Sequence, residues 1–148
     1  MRSYSYGDYM PFQEFSHMAF CLEETFVALA SLQLEAQVAF YSNFLATDPV
    51  VQTASYAEFR LTGLRLAIFV PSADNAVEFG CGQVVGVGSP MSLCLEVSDL
   101  EGAIAHIATL GHAPPGKVMQ ASHGQEIYAY DPDGNRLILH QSLSRNTA

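Results

Sequence analysis

The feature that most constrains the fold of this chain is an internal repeat. The segment FVALA at residues 26–30 aligns with SLCLE at residues 92–96, and the same offset of 66 residues places Leu34 on Leu100. Further along, GLRLAIF aligns with GNRLILH at an offset of 71, so the second copy has five additional loop residues. Matching offsets in several successive segments predict two copies of one supersecondary unit that pack together.

Each copy has the pattern of a β-α-β-β-β module. FVALA and SLCLE are typical of strands, and the segments that follow carry apolar residues at helical spacing. Ser98 and Glu101 form the pattern of a capping box at the start of the second helix, and Gly111 is a candidate for its end. The apolar helix positions are Leu34, Val38, Tyr41 and Leu45 in the first copy and Leu100, Ile104 and Ile107 in the second.

The strongest local signal is a β-hairpin near the end of the chain. Residues 127–130 and 136–141 have the character of strands, and they flank the sequence DPDGN. Proline fixes one backbone angle and glycine allows a positive one, so this pentapeptide predicts a turn. The predicted register pairs Tyr130 with Arg136, Tyr128 with Ile138, and Glu126 with His140.

The repeat also predicts the domain boundaries. Residues 25–79 form the first module, residues 80–90 are a Gly- and Ser-containing linker, and residues 91–148 hold the second module. Residues 1–24 match nothing in the second copy and are rich in Tyr and Phe. We expect them to form an arm that packs on the body or on a partner chain.

Charge and composition exclude some classes of partner. The chain has 148 residues, 6 basic against 15 acidic side chains and a net charge of −9, which disfavours nucleic acid and anionic membranes as partners. Its three cysteines are too scattered for a disulfide framework or a CxxC metal site. Because free thiols fit a reducing compartment and no signal peptide is visible, we expect a cytoplasmic protein.

Three segments resemble the vicinal-oxygen-chelate superfamily, which includes glyoxalases, bleomycin resistance proteins and dioxygenases. FVALASLQLEAQVAFYSNFL and LCLEVSDLEGAIAHIATLG resemble the openings of its two modules, and YDPDGNRLIL resembles its closing hairpin. The resemblance covers residues 25–141 as a single domain. It implies an α+β fold in which two tandem β-α-β-β-β modules form a cup-shaped mixed sheet, with helices outside, a ligand inside and a homodimer as the assembly.

The same resemblance locates the metal positions of this superfamily. Its metal-dependent members carry a His at the start of a module's first strand and a Glu three residues after the DPDGN turn. Imidazole and carboxylate groups are needed there because they are donors for divalent cations. The corresponding residues here are Phe26, Ser92, Ala67 and Ile138. We therefore expect no metal cofactor, and metal-dependent glyoxalase or extradiol dioxygenase activity is disfavoured.

A relocated metal site is an alternative. His123 precedes the last hairpin, Glu126 and His140 lie within it, and together they offer two imidazoles and a carboxylate. Against this alternative, an isolated histidine is more often structural or exposed.

Strand alternation predicts which residues face the cup. Leu137 and Leu139 should pack on the helices, and Arg136, Ile138 and His140, which alternate with them, should face the ligand. Arg65 and Arg136 occupy equivalent positions and could together grip a carboxylate or phosphate. Alternatively, each pairs with a neighbouring acid or lies in water. The candidate ligand-binding residues are Phe26, Arg65, Phe69, Ser92, Tyr128, Arg136, Ile138 and His140, and the candidate acid partners are Glu58, Glu96 and Glu126.

These observations favour a metal-independent protein that binds a small, partly aromatic and anionic molecule in its cup. The first alternative is an enzyme with a non-standard site around Glu126, His140 and the two arginines. The second is a degenerate regulatory or structural member that acts mainly by dimerising. A shared fold does not separate these functions.

Overall fold

The computed structural model describes residues 20–81 and 89–143. The predicted arm up to residue 19 and residues 82–88 of the predicted linker lie outside these ranges. The elements, in chain order, are β1 (Val27–Ala30), α1 (Leu34–Phe44), β2 (Val51–Gln52), β3 (Tyr56–Leu61), β4 (Leu64–Phe69), β5 (Leu93–Glu96), α2 (Leu100–Thr109), β6 (Met119–Ala121), β7 (Gly124–Tyr130) and β8 (Arg136–Ser142).

The strands form two four-stranded mixed sheets, one in each module. Their orders are β1-β4-β3-β2 and β5-β8-β7-β6. In each sheet the first strand runs parallel to the last, and the other neighbours are antiparallel. This arrangement confirms the predicted α+β fold with tandem β-α-β-β-β modules. Both sheets are open, and in residues 20–81 and 89–143 no further strand pairs with their outer edges.

The predicted hairpin register is confirmed. Tyr130 pairs with Arg136, Tyr128 with Ile138, and Glu126 with His140. The turn closes through the backbone hydrogen bond from Gly134 N to Asp131 O at 2.9 Å, and Gly134 has the positive φ of +83° that the turn requires. The corresponding turn of the first module, between β3 and β4, has two residues instead of five.

The second helix begins at a different cap from the one predicted. The prediction of Ser98 as N-cap is wrong, because the N-cap is Asp99, whose Oδ1 accepts a 3.0 Å hydrogen bond from Gly102 N. An aspartate in this position satisfies one of the amides that the first helical turn leaves unpaired. At the other end the prediction is confirmed: Gly111 follows the helix with φ +87°.

One hydrophobic core joins the helices to both sheets. Leu137 and Leu139 are fully buried in it, as strand alternation predicted, together with Leu66 and Ile68 of the first sheet. Full burial of one such side chain contributes roughly 1.5–3 kcal/mol. The helices also contact each other's modules directly: His106 Nε2 lies 2.8 Å from the backbone oxygen of Asn43.

Within the described ranges, no helix has the length and apolar character that crossing a membrane requires.

Candidate functional site

A cavity lies at the seam between the two modules. Among the described strands, β1 and β5 each pair with a neighbour on one side only, and residues of both strands line a space of about 270 Å³. This volume is close to the lower end of the roughly 300–1,000 Å³ typical of small-molecule sites. Its lining includes Val27, Leu29 and Tyr41 from the first module and Ser92, Tyr130 and Arg136 from the second.

Arg136 is the only arginine among the described residues that line this cavity. Its Nε donates to Ser92 Oγ and its Nη2 to the backbone oxygen of Ser89, each at 2.7 Å. Its Cζ lies 5.9 Å from the centroid of the Tyr128 ring. In residues 20–81 and 89–143, no carboxylate lies within 4.0 Å of this side chain. A guanidinium has five N–H donors, so Arg136 keeps three of them, together with a positive charge that no described acid neutralises.

Arg65, its equivalent in the first module, is in a different environment. Its Nη1 lies 3.0 Å from Glu58 Oε1 and its Nε lies 3.4 Å from Glu24 Oε1. The guanidinium also covers the ring of Phe26, with Cζ 3.7 Å from the centroid. Glu58 is buried, with 7% exposed. Arg65 is therefore paired with a neighbouring acid, Glu58, which was the alternative to a ligand-binding role. The environments of Arg65 and Arg136 differ, so the two arginines do not form a symmetrical pair.

Phe69, Ile138 and His140 alternate along β4 and β8 with the core residues Ile68, Leu137 and Leu139, so they lie on the faces opposite to the helices. Phe69 packs edge-on against Phe79, with ring centroids 5.2 Å apart. Ile138 lies between Cys94 and Tyr128 in the register of the second sheet. Of the eight candidates, Ser92 and Arg136 line the cavity, and the other six do not.

The residues at the four metal positions do not fit a divalent cation. Phe26, Ala67 and Ile138 have no donor atom in their side chains. Ser92 has a hydroxyl, but that hydroxyl accepts the hydrogen bond from Arg136 Nε. The positive guanidinium of Arg136 would also repel a cation at this position.

His140 forms a pair with Glu96 on the neighbouring strand. Its Nδ1 lies 2.5 Å from Glu96 Oε2, and since a carboxylate only accepts, Nδ1 carries the proton. Hydrogen bonds from Ser142 and from His140 lower the pKa of Glu96 to about 2. His140 Nε2 is buried and has no hydrogen-bond partner among the described residues, and the ring of His123 stacks on His140 with centroids 4.7 Å apart.

These histidines do not complete the relocated metal site. Within residues 20–81 and 89–143, no three His, Cys, Asp or Glu side chains are grouped so that they could hold a metal ion. His123 contacts His140 face to face, an arrangement that suits ring stacking rather than two lone pairs directed at one ion.

The sequence did not reveal the polar cluster beside the cavity. Asp131 is 3% exposed, and its Oδ2 accepts hydrogen bonds from Tyr41 Oη at 2.7 Å and Gln37 Nε2 at 3.1 Å. Burial, together with the charge of Asp131, raises the pKa of Tyr41 above its usual range. Tyr41 was predicted only as one of the apolar positions of the first helix. The available signal was the polar Gln37, which lies on the same buried helix face.

The fold has clear counterparts among solved structures. A glyoxalase-related enzyme from Fulvimarina pelagi is 21% identical, with 82% of this chain and 89% of that chain covered and a TM-score of 0.64. A fosfomycin resistance protein from Listeria monocytogenes is 16% identical, with coverages of 84% and 96% and a TM-score of 0.63. A bleomycin resistance determinant encoded on the transposon Tn5 is 19% identical, with coverages of 83% and 100% and a TM-score of 0.56. No protein-family model and no curated protein sequence matches the chain.

Proposed function

Because the chain has the vicinal-oxygen-chelate fold, we propose that it is a metal-independent protein that binds a small aromatic anion in the cavity between its modules. Arg136 is the polar anchor, and the apolar side chains of both modules contact the aromatic part. We propose a cytoplasmic location, since Cys21, Cys81 and Cys94 are all free thiols.

The observation that carries this proposal is that the positive charge of Arg136 is held in place but is not neutralised by a described acid. Two hydrogen bonds fix the guanidinium, and no described carboxylate neutralises it. An arginine that is partly withdrawn from water usually has an acid partner in the protein. A carboxylate or phosphate of a ligand would supply the missing charge through the N–H donors that remain.

The rest of the cavity supports the aromatic part of the ligand. Val27, Leu29 and Leu66 give it apolar walls, and the side chains of Tyr41 and Tyr130 also line it. Apolar and aromatic walls with a few placed polar groups are typical of small-molecule sites. The names of two proteins with this fold, a bleomycin resistance determinant and a fosfomycin resistance protein, support a role directed at small molecules.

Titration with a matched pair of probes tests this proposal. The probes are 2-naphthoate and its neutral analogue 2-naphthamide, which differ mainly in charge. A charge-assisted hydrogen bond contributes roughly 1.5–3 kcal/mol. Arg136→Ala should therefore weaken naphthoate binding by about 10- to 150-fold and change naphthamide binding much less.

Arg65→Ala is the matched control, because it removes an equivalent arginine that is already paired with Glu58. It should leave the preference for naphthoate in place. Thermal melts of each variant verify that it is folded. The proposal fails if Arg136→Ala keeps the preference of the wild type, or if Arg65→Ala loses it to the same extent.

The Glu96–His140 pair favours a second candidate function, proton transfer by His140. A carboxylate that orients Nδ1 leaves Nε2 as the basic atom, which is the arrangement of a general base. In this structure Nε2 is buried against Gly124. Mapping of histidines modified by diethyl pyrocarbonate separates the candidates: rapid modification of His140 supports the enzyme, and protection of His140 while His123 reacts supports the binding protein.

A further inference from the structure

The width of the cavity between the modules is not fixed by strand pairing. Within the described residues, β1 and β5 belong to separate sheets and share no ladder of backbone hydrogen bonds. The position of Arg136 relative to β1 therefore depends on side-chain contacts between the modules.

The most extensive polar contact between the modules centres on Asp131. Its Oδ1 accepts hydrogen bonds from the backbone amides of Asp133 at 3.0 Å and Asn135 at 2.9 Å, which shape the hairpin turn. Its Oδ2 accepts from Asn135 Nδ2 at 2.8 Å, from Tyr41 Oη and from Gln37 Nε2. One buried carboxylate therefore holds the turn of the second module against helix α1 of the first.

This cluster forms part of the cavity. Tyr41 and Asn135, both partners of Asp131, line it, and Asn135 is followed directly by Arg136. A second contact reinforces the first, since Gln37 Nε2 also donates to Asp133 Oδ2 at 2.6 Å.

In the described residues, the equivalent contact between helix α2 and the turn that joins β3 to β4 is absent. At the repeat offset of 66 residues, Ala103 and Ile107 replace Gln37 and Tyr41 on helix α2, so the helix offers no side-chain donors there. The facing turn has only two residues, Thr62 and Gly63. The cluster around Asp131 is thus a feature of one side of the seam, the side on which Arg136 lies.

We propose that Asp131 is a positioning residue that holds the two modules at the separation required for ligand binding, acting through Tyr41 and Asn135 on the cavity that contains Arg136. This inference rests on the proposed function for its binding consequence. Its structural consequence, a fixed separation of the modules, can be measured without any ligand.

Tyr41→Phe tests the inference most cleanly, because it removes one hydroxyl and keeps the ring in the cavity wall. Tyr56→Phe is the matched control: Tyr56 Oη also lies near a carboxylate, Glu58 Oε1 at 3.4 Å, but both residues belong to the first module. The measurements are NMR relaxation dispersion of backbone amides in β1 and β5, and the Kd for 2-naphthoate.

We expect Tyr41→Phe to produce microsecond-to-millisecond exchange in both strands and to raise the Kd by about 3- to 10-fold, because the competent arrangement becomes a fraction of the population. Tyr56→Phe should match the wild type in both measurements. Dispersion profiles of Tyr41→Phe that match those of the wild type would overturn the inference, even if Arg136 is confirmed as the anchor. If the wild type binds no anion, the proposed function fails, and exchange in Tyr41→Phe alone still supports the positioning role of Asp131.

Discussion

Arg136 donates a 2.7 Å hydrogen bond from Nε to the hydroxyl of Ser92, the residue at the position where metal-dependent proteins that this chain resembles carry a histidine ligand. The positive charge of Arg136 therefore lies beside Ser92, the residue directly before β5. We propose that this position therefore favours an anion rather than a cation.

The first prediction concerns metal content. We expect the purified chain to hold well under one divalent ion per molecule after dialysis against zinc, nickel or manganese followed by buffer, because the residues at the four metal positions offer no free donor. Elemental analysis measures this directly. One tightly retained ion per chain would contradict the account.

The second prediction concerns the pH dependence contributed by Glu96. Its pKa is lowered in the folded chain, from 4.5 to about 2, so its interactions stabilise the fold above pH 4.5 and lose this contribution as the pH falls towards 2. Urea denaturation should show wild type more stable than Glu96→Gln at pH 6, with the difference shrinking between pH 4.5 and 2. A difference that stays constant over this range would refute the prediction; Glu78→Gln, at an exposed glutamate, is the control.

The third prediction concerns the close packing of Gly124 against His140. A Cβ on Gly124 would overlap the backbone oxygen of Gln141 and approach His140 Nε2 to 3.0 Å. Gly124→Ala should therefore lower the free energy of unfolding by about 1–3 kcal/mol. Gly116→Ala is the matched control, since a Cβ there meets no atom within 4 Å. Equal stabilities of the two variants would show that the packing at Gly124 is looser than described.

The fourth prediction concerns the assembly. Both sheets are open, and the outer strands β2 and β6 expose Val51 and Met119, so we expect a second copy of the chain to cover free edges or apolar surface. Light scattering should give about twice the chain mass of 16.1 kDa. A monomer at micromolar concentration would instead show that these edges remain free.

Much of the fold could be predicted because its signals are local. The DPDGN turn sets the register of β7 and β8, and the period-two alternation of Leu137 and Leu139 along β8, taken with the resemblance, identifies the buried face. The internal offset transfers the same order of elements to the first module. These features depend on residues close in sequence, which a single chain displays directly.

The difference between the two arginines could not be predicted in the same way. Arg65 and Arg136 have equivalent strand positions, but Glu58 and Glu24 approach only the first, and Glu24 comes from a segment without a counterpart in the repeat. The sequence predicted Tyr41 only as an apolar helix position, because its partner Asp131 lies 90 residues away. Such contacts depend on how the modules pack, and the sequence does not encode that packing in a local pattern.

A crystal structure of the chain with 2-naphthoate tests the central claim most directly. The account predicts that the naphthalene lies between β1 and β5 and that the carboxylate lies within hydrogen-bond distance of the Arg136 guanidinium, with Ser92 still bound to Nε. A naphthoate whose carboxylate contacts Arg65 instead, or one bound outside the seam with Arg136 unchanged, would contradict it.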